Sequence, residues 1–279
     1  MTKGPTDKVG AFVFKSTRVE FIHHSSLVTR HLSLIMLYRI DPQLFQKYPG
    51  YVRGLVIARR VINIEPPIDE VARLLTGAQK TIRDRADLDP VSAQPNIAAW
   101  RAAYRTFGAR PTDFPSAIES LVKRVRRGDD LPYINTLAAL GNSASLRYLV
   151  PIGGHAIDVL QADDEIVLGY AQGHEEFPPL NGGPIEYPLP GEIIFYVAPP
   201  LRAALPKVMT RRWTWRQGEF TKLQRTTTAV VINIDGLPPV TRADVDTISA
   251  DVATLVGLYC GGASAEIKLL SEENPTVEL

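Results

Sequence analysis

Apolar positions along the chain change their period near its middle. Between residues 66 and 128 they recur every three to four residues, whereas beyond residue 165 they gather in short runs cut by glycine and proline. After Pro66-Pro67, the spacing of Ile68, Val71, Leu75, Ala78 and Ile82 predicts an amphipathic helix. Ile97, Trp100, Tyr104 and Phe107 predict a second, with Asn96 as its N-cap and Gly108 as its stop. Ser116 and Glu119 stand at capping-box spacing before a third, whose inner face is Ala117, Ile118, Leu121, Val122 and Val125 and whose end is Gly128. Tyr51–Arg59, Glu165–Tyr170, Glu192–Val197, Thr228–Asp235 and Ala265–Leu270 carry the aliphatic and β-branched content of strands. A last helix starts at Thr241 with Asp244 in the capping-box position, turns Val245, Ile248, Val252, Leu255 and Tyr259 inward, and ends at Gly261-Gly262. Helices mainly before residue 150 and strands mainly after it predict an α+β fold rather than regular βαβ alternation.

The periodicity is poor before Met36, so residues 1–35 read as a poorly structured extension, 36–270 as one domain and 271–279 as a polar tail. At 279 residues and 45% hydrophobic content the chain can bury a substantial core. One cysteine, Cys260, excludes an internal disulfide and points to the cytoplasm. Neither a membrane-length apolar run nor a signal-peptide pattern is present, so a membrane partner is not expected.

Charge changes this picture. The net charge of +1 argues against a protein that coats duplex DNA, yet basic residues are segregated along the chain. Lys and Arg outnumber Asp and Glu seven to two over Arg101–Arg127 and six to one over Lys207–Arg225. Ala156–Glu192 carries eight carboxylates and no Lys or Arg. Such segregation suggests a surface that holds a polyanion at one edge, with solvated helix faces as the plainer alternative.

Dinucleotide, nucleoside-triphosphate, zinc-protease and serine-hydrolase signatures are all missing, and His23, His24 and His31 have no carboxylate or cysteine at ligand spacing. No metal and no cofactor is therefore expected. The densest polar stretch is Leu131–Leu168. It holds Asn142, Ser143 and Ser145, which read as a turn, then a Pro151-x-Gly153-Gly154 corner and a His155-x-x-Asp158 pair.

Four pieces of the chain together resemble the B3/B4 domain of the phenylalanyl-tRNA synthetase beta chain, in its free-standing form. Pro95–Gly108 followed by Pro115–Arg127 is similar to the family's helical entry, and Asn135–Asn142 with Ser145 to its apolar strand followed by Asn and Ser. Pro151–Asp158 resembles its Pro-x-His-Ala-Phe-Asp corner, with a Gly-Gly inserted before His155, and Trp213–Thr226 its Trp-Arg-Gln element. The resemblance covers roughly residues 40–260 and implies a single B3/B4-like domain of mixed, mostly antiparallel sheets packed around helices. No catalytic synthetase domain or ATP motif accompanies it, so an ATP-dependent synthetase is not expected. In the synthetases this domain is similar to a second sieve that hydrolyses tyrosine wrongly attached to the phenylalanine tRNA. The resemblance thus implies a partner, the acceptor end of tRNA or aminoacyl-tRNA, and a reaction, deacylation. An aminoacyl ester is already activated, so a placed water and a stabilised oxyanion suffice.

On that reading His155, Asn142 and Glu219 are the catalytic candidates. Ser145, Gly154, Asp158, Thr221 and Thr226 are candidates for substrate binding, and Trp215, Arg216, Lys123, Arg124 and Arg127 for RNA. Each has a plainer alternative: a surface histidine for His155, a helix cap for Asp158 and turn chemistry for Asn142 and Ser145. For Glu219 with Arg216 it is a surface ion pair, for Thr221 and Thr226 strand propensity, and for the basic end of the third helix its dipole. A non-catalytic RNA-binding module and an amino-acid-binding protein on the same fold stand as alternatives to the hydrolase.

Overall fold

The computed structural model describes Met1, residues 36–199 and residues 205–279; residues 2–35, with the histidines among them, lie outside the described residues. Among the described residues ten strands form two sheets. Leu37–Ile40 (β1), Glu165–Tyr170 (β4), Ile193–Ala198 (β5), Lys207–Arg211 (β6), Arg216–Gln217 (β7) and Thr276–Glu278 (β10) make a six-stranded sheet in the order β10-β1-β4-β5-β6-β7. Val52–Arg59 (β2), Ile152–Ala156 (β3), Ala229–Gly236 (β8) and Ser264–Leu270 (β9) make a four-stranded sheet in the order β3-β8-β2-β9. Every pairing is antiparallel except β1 with β4. The polar tail thus supplies an edge strand, β10, against β1. The α+β class predicted from the sequence is the one observed.

The described residues also form six α-helices: Pro42–Lys47 (α1), Asp69–Asp84 (α2), Pro95–Thr106 (α3), Ala117–Arg126 (α4), Thr136–Tyr148 (α5) and Arg242–Tyr259 (α6). Helix α6 lies on the four-stranded sheet and α5 packs beside it against α2 and β3. The approach of α6 depends on two glycines. A Cβ at Gly54 in β2 would overlap Ser249 Oγ and come within 2.9 Å of Val245, and one at Gly236 in β8 would come within 2.5 Å of Val245.

The opposite face of that sheet meets the six-stranded sheet through buried polar groups. Arg53 of β2 pairs in register with Asp235 of β8, its Nε donating to Asp235 Oδ1 at 2.7 Å. Arg53 Nη1 donates to the Tyr38 hydroxyl of β1 at 2.6 Å, and Tyr38 in turn donates to Asn233 Oδ1 at 2.8 Å. Tyr51 donates to Asp235 and accepts from the Trp213 indole. Desolvation works against the Arg53 charge, but Asp235, Tyr38 and Tyr51 outweigh it and the guanidinium is held firmly ionised.

Local signals were read well where a helix carries its own caps. Thr241 and Asp244 cap each other's backbone as expected. Three readings are corrected. Gln94, not Asn96, caps α3, because Pro95 occupies the first helical position and Gln94 Oε1 accepts from Ile97 N at 3.0 Å. Ser116 caps α4, but buried Glu119 does not complete the box; it takes Arg101 and Lys123 instead. The supposed Asn-Ser turn, and the strand expected over Asn135–Asn142, is helix α5, capped by Asn135 and closed by Leu149 in the left-handed region. Its serines face neighbours rather than solvent: Ser143 donates to Ala139 O and Ser145 to Ile152 O.

Arg53→Met should cost about 3–5 kcal/mol in urea unfolding, because it strands a buried carboxylate, while Arg53→Met with Asp235→Leu should recover part of that loss. Gly54→Ala should cost about 1–3 kcal/mol by pushing α6 off the sheet, and adding Ser249→Ala should restore some of it.

Candidate functional site

A cleft of about 570 Å³ opens between α5, the β3 strand and the segment that follows β7. Its first wall is the N-terminal half of α5, where Asn135, Ala138, Gly141 and Asn142 face the space. The helix starts there because Asn135 and the loop after β2 together cap it: Asn63 Oδ1 accepts from Leu137 N, Asn135 Oδ1 accepts from Ala138 N and Ile64 O accepts from Thr136 N. With those amides satisfied, the helix N-terminus offers little to an anion directly. The second wall is residues 217–226, held by three carboxamides: Asn63 Nδ2 on Gln224 O (2.9 Å), Asn135 Nδ2 on Leu223 O (3.0 Å) and Gln217 Nε2 on Gly154 O (3.0 Å). Each of the two asparagines therefore caps α5 with its oxygen and carries the facing wall with its nitrogen.

The floor is β3. The Gly-Gly expected to form a corner lies inside this strand and sets the spacing of the site. A Cβ at Gly154 would press on Leu223 at 2.8 Å, whereas one at Gly153 would meet nothing within 4 Å. Lys222, Arg225 and Glu65 line the cleft's solvent-exposed mouth. Glu219 lies beside the mouth, hydrogen-bonded to Lys222 and accepting from Asn181 N at 3.0 Å. Those two contacts, Lys222 first, hold its carboxyl below the usual range, so it is an ionised acceptor at neutral pH.

Of the residues singled out in the sequence, Asn142, Gly154 and Thr226 line this cleft and Glu219 flanks it. His155 and Thr221 lie behind the floor. His155 is buried, its Nδ1 2.8 Å from Thr221 Oγ1 and its Nε2 3.3 Å from Thr210 Oγ1, with its ring edge-on to Phe195. Burial, and then the nearby Arg53 charge, push its pKa down to about 3, so the imidazole is neutral. The reading of His155 as a surface histidine is thereby corrected. Ser145 is buried against β3. Asp158 accepts from Thr228 N and Oγ1, and no helix begins at Val159.

The basic residues do not converge. Lys123 pairs with Glu119, Arg124 donates to Asp130 O and Arg127 lies 3.9 Å from Asp129; none lines the cleft. Arg216 is bound to Glu186, and Trp215 already carries the guanidiniums of Arg212 and Arg216 together with the edge of Phe114. Glu186 and Glu192, from the acidic stretch, fold back onto Arg211, Arg212 and Arg216. Segregation along the chain becomes pairing in space. Sequence reasoning missed Asn63, Asn135, Gln217, Lys222 and Arg225 as parts of the site. The carboxamides were visible only as loop formers, and the two cations only as members of a block.

Behind the floor lies a smaller chamber of about 150 Å³, lined by Arg53, His155, Phe195, Thr210, Trp213, Asn233 and Asp235. Ile152, Gly153 and Gln217 line both spaces. Among the described residues no group of three His, Cys, Asp or Glu side chains is placed to hold a metal, and no helix is long and apolar enough to cross a membrane.

Because the unfolded chain protonates His155 near 6.5 and the folded chain only near 3, stability falls as pH drops below 6.5. The slope from this group should approach about 1.4 kcal/mol per pH unit, and His155→Gln should remove it in urea unfolding compared between pH 7.5 and pH 5.

No curated protein matches the chain. A solved N-terminal fragment of the phenylalanyl-tRNA synthetase beta-subunit from Pyrococcus horikoshii is similar to it at 11% identity and a TM-score of 0.38, over 83% of this chain and 50% of the fragment. This chain therefore spans half the length of that fragment. The model of the B3/4 domain matches residues 99–250, which is more than half of the sequence and includes α5, β3 and the wall after β7, so the chain belongs to the B3/4 domain family.

Proposed function

We propose that the cleft takes the acceptor end of an aminoacyl-tRNA and promotes hydrolysis of its ester. The reaction class comes from the resemblance of the sequence to the synthetase editing domain. The observation that carries the placement is the convergence of Asn142, Gly154 and Thr226 on one cleft whose mouth holds Lys222 and Arg225. Arg225 has no carboxylate partner among the described residues, so its guanidinium is available to a phosphate. Asn142 makes no side-chain hydrogen bond among the described residues and offers its amide to the ester carbonyl or to the attacking water. His155 acts through Thr221 and Thr210, which it holds behind the floor; it is a positioning residue, neutral and out of the cleft. Glu219 restrains Lys222 and so moderates the field at the mouth.

One observation favours the alternative of a binding module without chemistry. Among the described residues no histidine or cysteine lines the cleft, so any hydrolysis relies on the intrinsic reactivity of the ester and on placed dipoles. Incubation with a panel of correctly and incorrectly charged tRNAs separates the two readings. Amino-acid release confined to one or two mischarged species is the expected result. Binding across the panel without release would favour the module, and absence of both would remove RNA from the site.

Asn142→Ala should lower the rate of release roughly 10²-fold while leaving tRNA affinity within about threefold. Arg225→Ala should reduce the slope of log K against log salt by about 0.7, the value of one single-strand phosphate contact, and Glu219→Gln should strengthen binding by freeing Lys222. Titrations of uncharged tRNA at several salt concentrations check both.

A further inference from the structure

The chamber behind the floor is plain in its walls and unusual in its polar atoms. Phe195, Trp213 and Ile152 give it apolar faces, but Arg53, Asn233 and Asp235 also look into it. Most of their polar atoms are engaged with each other and with Tyr38 and Tyr51. Three are not. Among the described residues Arg53 Nη2, Asn233 Nδ2 and Asp235 Oδ2 have no hydrogen-bond partner, yet none is sealed into the packing as Glu119 Oε2, Arg212 Nη1 and Arg216 Nε are. Gln217 is in the same position: its Nε2 is spent on Gly154 O and Thr221 O, and its Oε1 is unused at the boundary of the two spaces. The chamber therefore presents two donors and two acceptors. Buried polar groups left in this way demand a partner.

The charges decide what kind of partner. Arg53 and Asp235 neutralise each other, and His155 is uncharged, so the chamber has no net charge to balance an ion; an ionic guest would be desolvated without compensation. A purely apolar guest would leave four polar atoms unmet. A group with a donor and an acceptor on one small plane satisfies both. At 150 Å³ the space holds about five or six heavy atoms.

We propose that the chamber is a second ligand subsite, one that accepts a short uncharged group bearing both a hydrogen-bond donor and an acceptor, foremost a primary carboxamide, and that Gly153 is its doorway from the cleft. The carboxamide oxygen accepts from Arg53 Nη2 and Asn233 Nδ2, and its nitrogen donates to Asp235 Oδ2. Gly153 lines both spaces and a Cβ there would project into open space, so the missing side chain is what leaves the passage clear. The proposal requires the cleft only as an entrance and stands apart from the RNA reading.

Saturation-transfer NMR on the whole chain with propanamide, propanoate, propylammonium and butanone as probes tests it without RNA. Propanamide should bind at least tenfold more tightly than the other three. Gly153→Val, a residue suited to a strand, should weaken propanamide at least tenfold, while Arg127→Ala, at a residue that lines neither space, should leave it unchanged. Independently of any variant, propanamide added to the wild-type protein should shift the Asn233 side-chain amide and Arg53 Nε–H resonances. Equal binding of butanone, binding unaffected by Gly153→Val in a variant whose amide spectrum remains native, or unmoved Asn233 and Arg53 signals would each overturn the proposal. Propanamide binding without any tRNA hydrolysis would leave the subsite standing and remove only the editing reading.

Discussion

The ion pair between Arg53 and Asp235 is the constraint on which the rest of the molecule is arranged. Two strands in direct register place opposite charges where almost no water reaches, and neither charge is tolerable there alone. Each must therefore recruit further partners, and those partners come from other elements: Tyr38 from the six-stranded sheet for Arg53 and Tyr51 from the chain entering β2 for Asp235, with Trp213 from the turn after β6 donating to Tyr51. A hydrogen-bonded layer thus fixes how the two sheets meet, where apolar contact alone would permit sliding. The same layer forms the back wall of the chamber, so the part of the protein that most needs rigidity is also the part nearest the site.

Glycine does opposite work on the two sides of the four-stranded sheet. On the outer side, Gly54 and Gly236 let α6 come so close that its Ser249 and Val245 occupy the volume a side chain would need. Gly154, in register with Ile232, lies on that same face and yields to Leu223 in the same way, whereas Gly153 alternates to the opposite face with Asn233, meets nothing within 4 Å and leaves space. Filled glycines set distances between elements; the empty one makes a hole. That difference cannot be inferred from the residue type, which is why the Gly-Gly pair reads in the sequence as a corner and is in the structure a strand with a passage beside it.

Legibility followed the range of the interactions. The last helix was readable because Thr241 and Asp244 cap it locally and its apolar face keeps period. Helix α5 was not, since it is buried on several faces and its Asn142, Ser143 and Ser145, residue types that usually mark turns, here face the cleft, back-bond to Ala139 and bond to β3. Arg53, Asn233 and Asp235 interrupt otherwise apolar strands, and that interruption is a sequence signal for a buried polar layer; what it cannot give is the partner across the sheets. The charge blocks misled for the same reason. Glu186 and Glu192 lie within an acidic stretch, and only the return of the chain through β5 and β6 brings them against three arginines.

This internal neutralisation bears on how the cleft would tell ligands apart. A protein with a broad unpaired basic face attracts any polyanion, and the phosphate backbone then dominates affinity. Here most of the guanidinium groups of the two basic blocks are committed to carboxylates or stacked on aromatic rings, and at the mouth Glu219 holds back Lys222 as well. The long-range pull that remains is weak. A polyanion would be selected less by its backbone than by the chemistry of the end that fits between α5 and the wall after β7, where carboxamides and bare strand backbone face the ligand. Reduced long-range attraction, with carboxamides and bare backbone deep in the cleft, would favour a ligand end that fits over one that is merely charged.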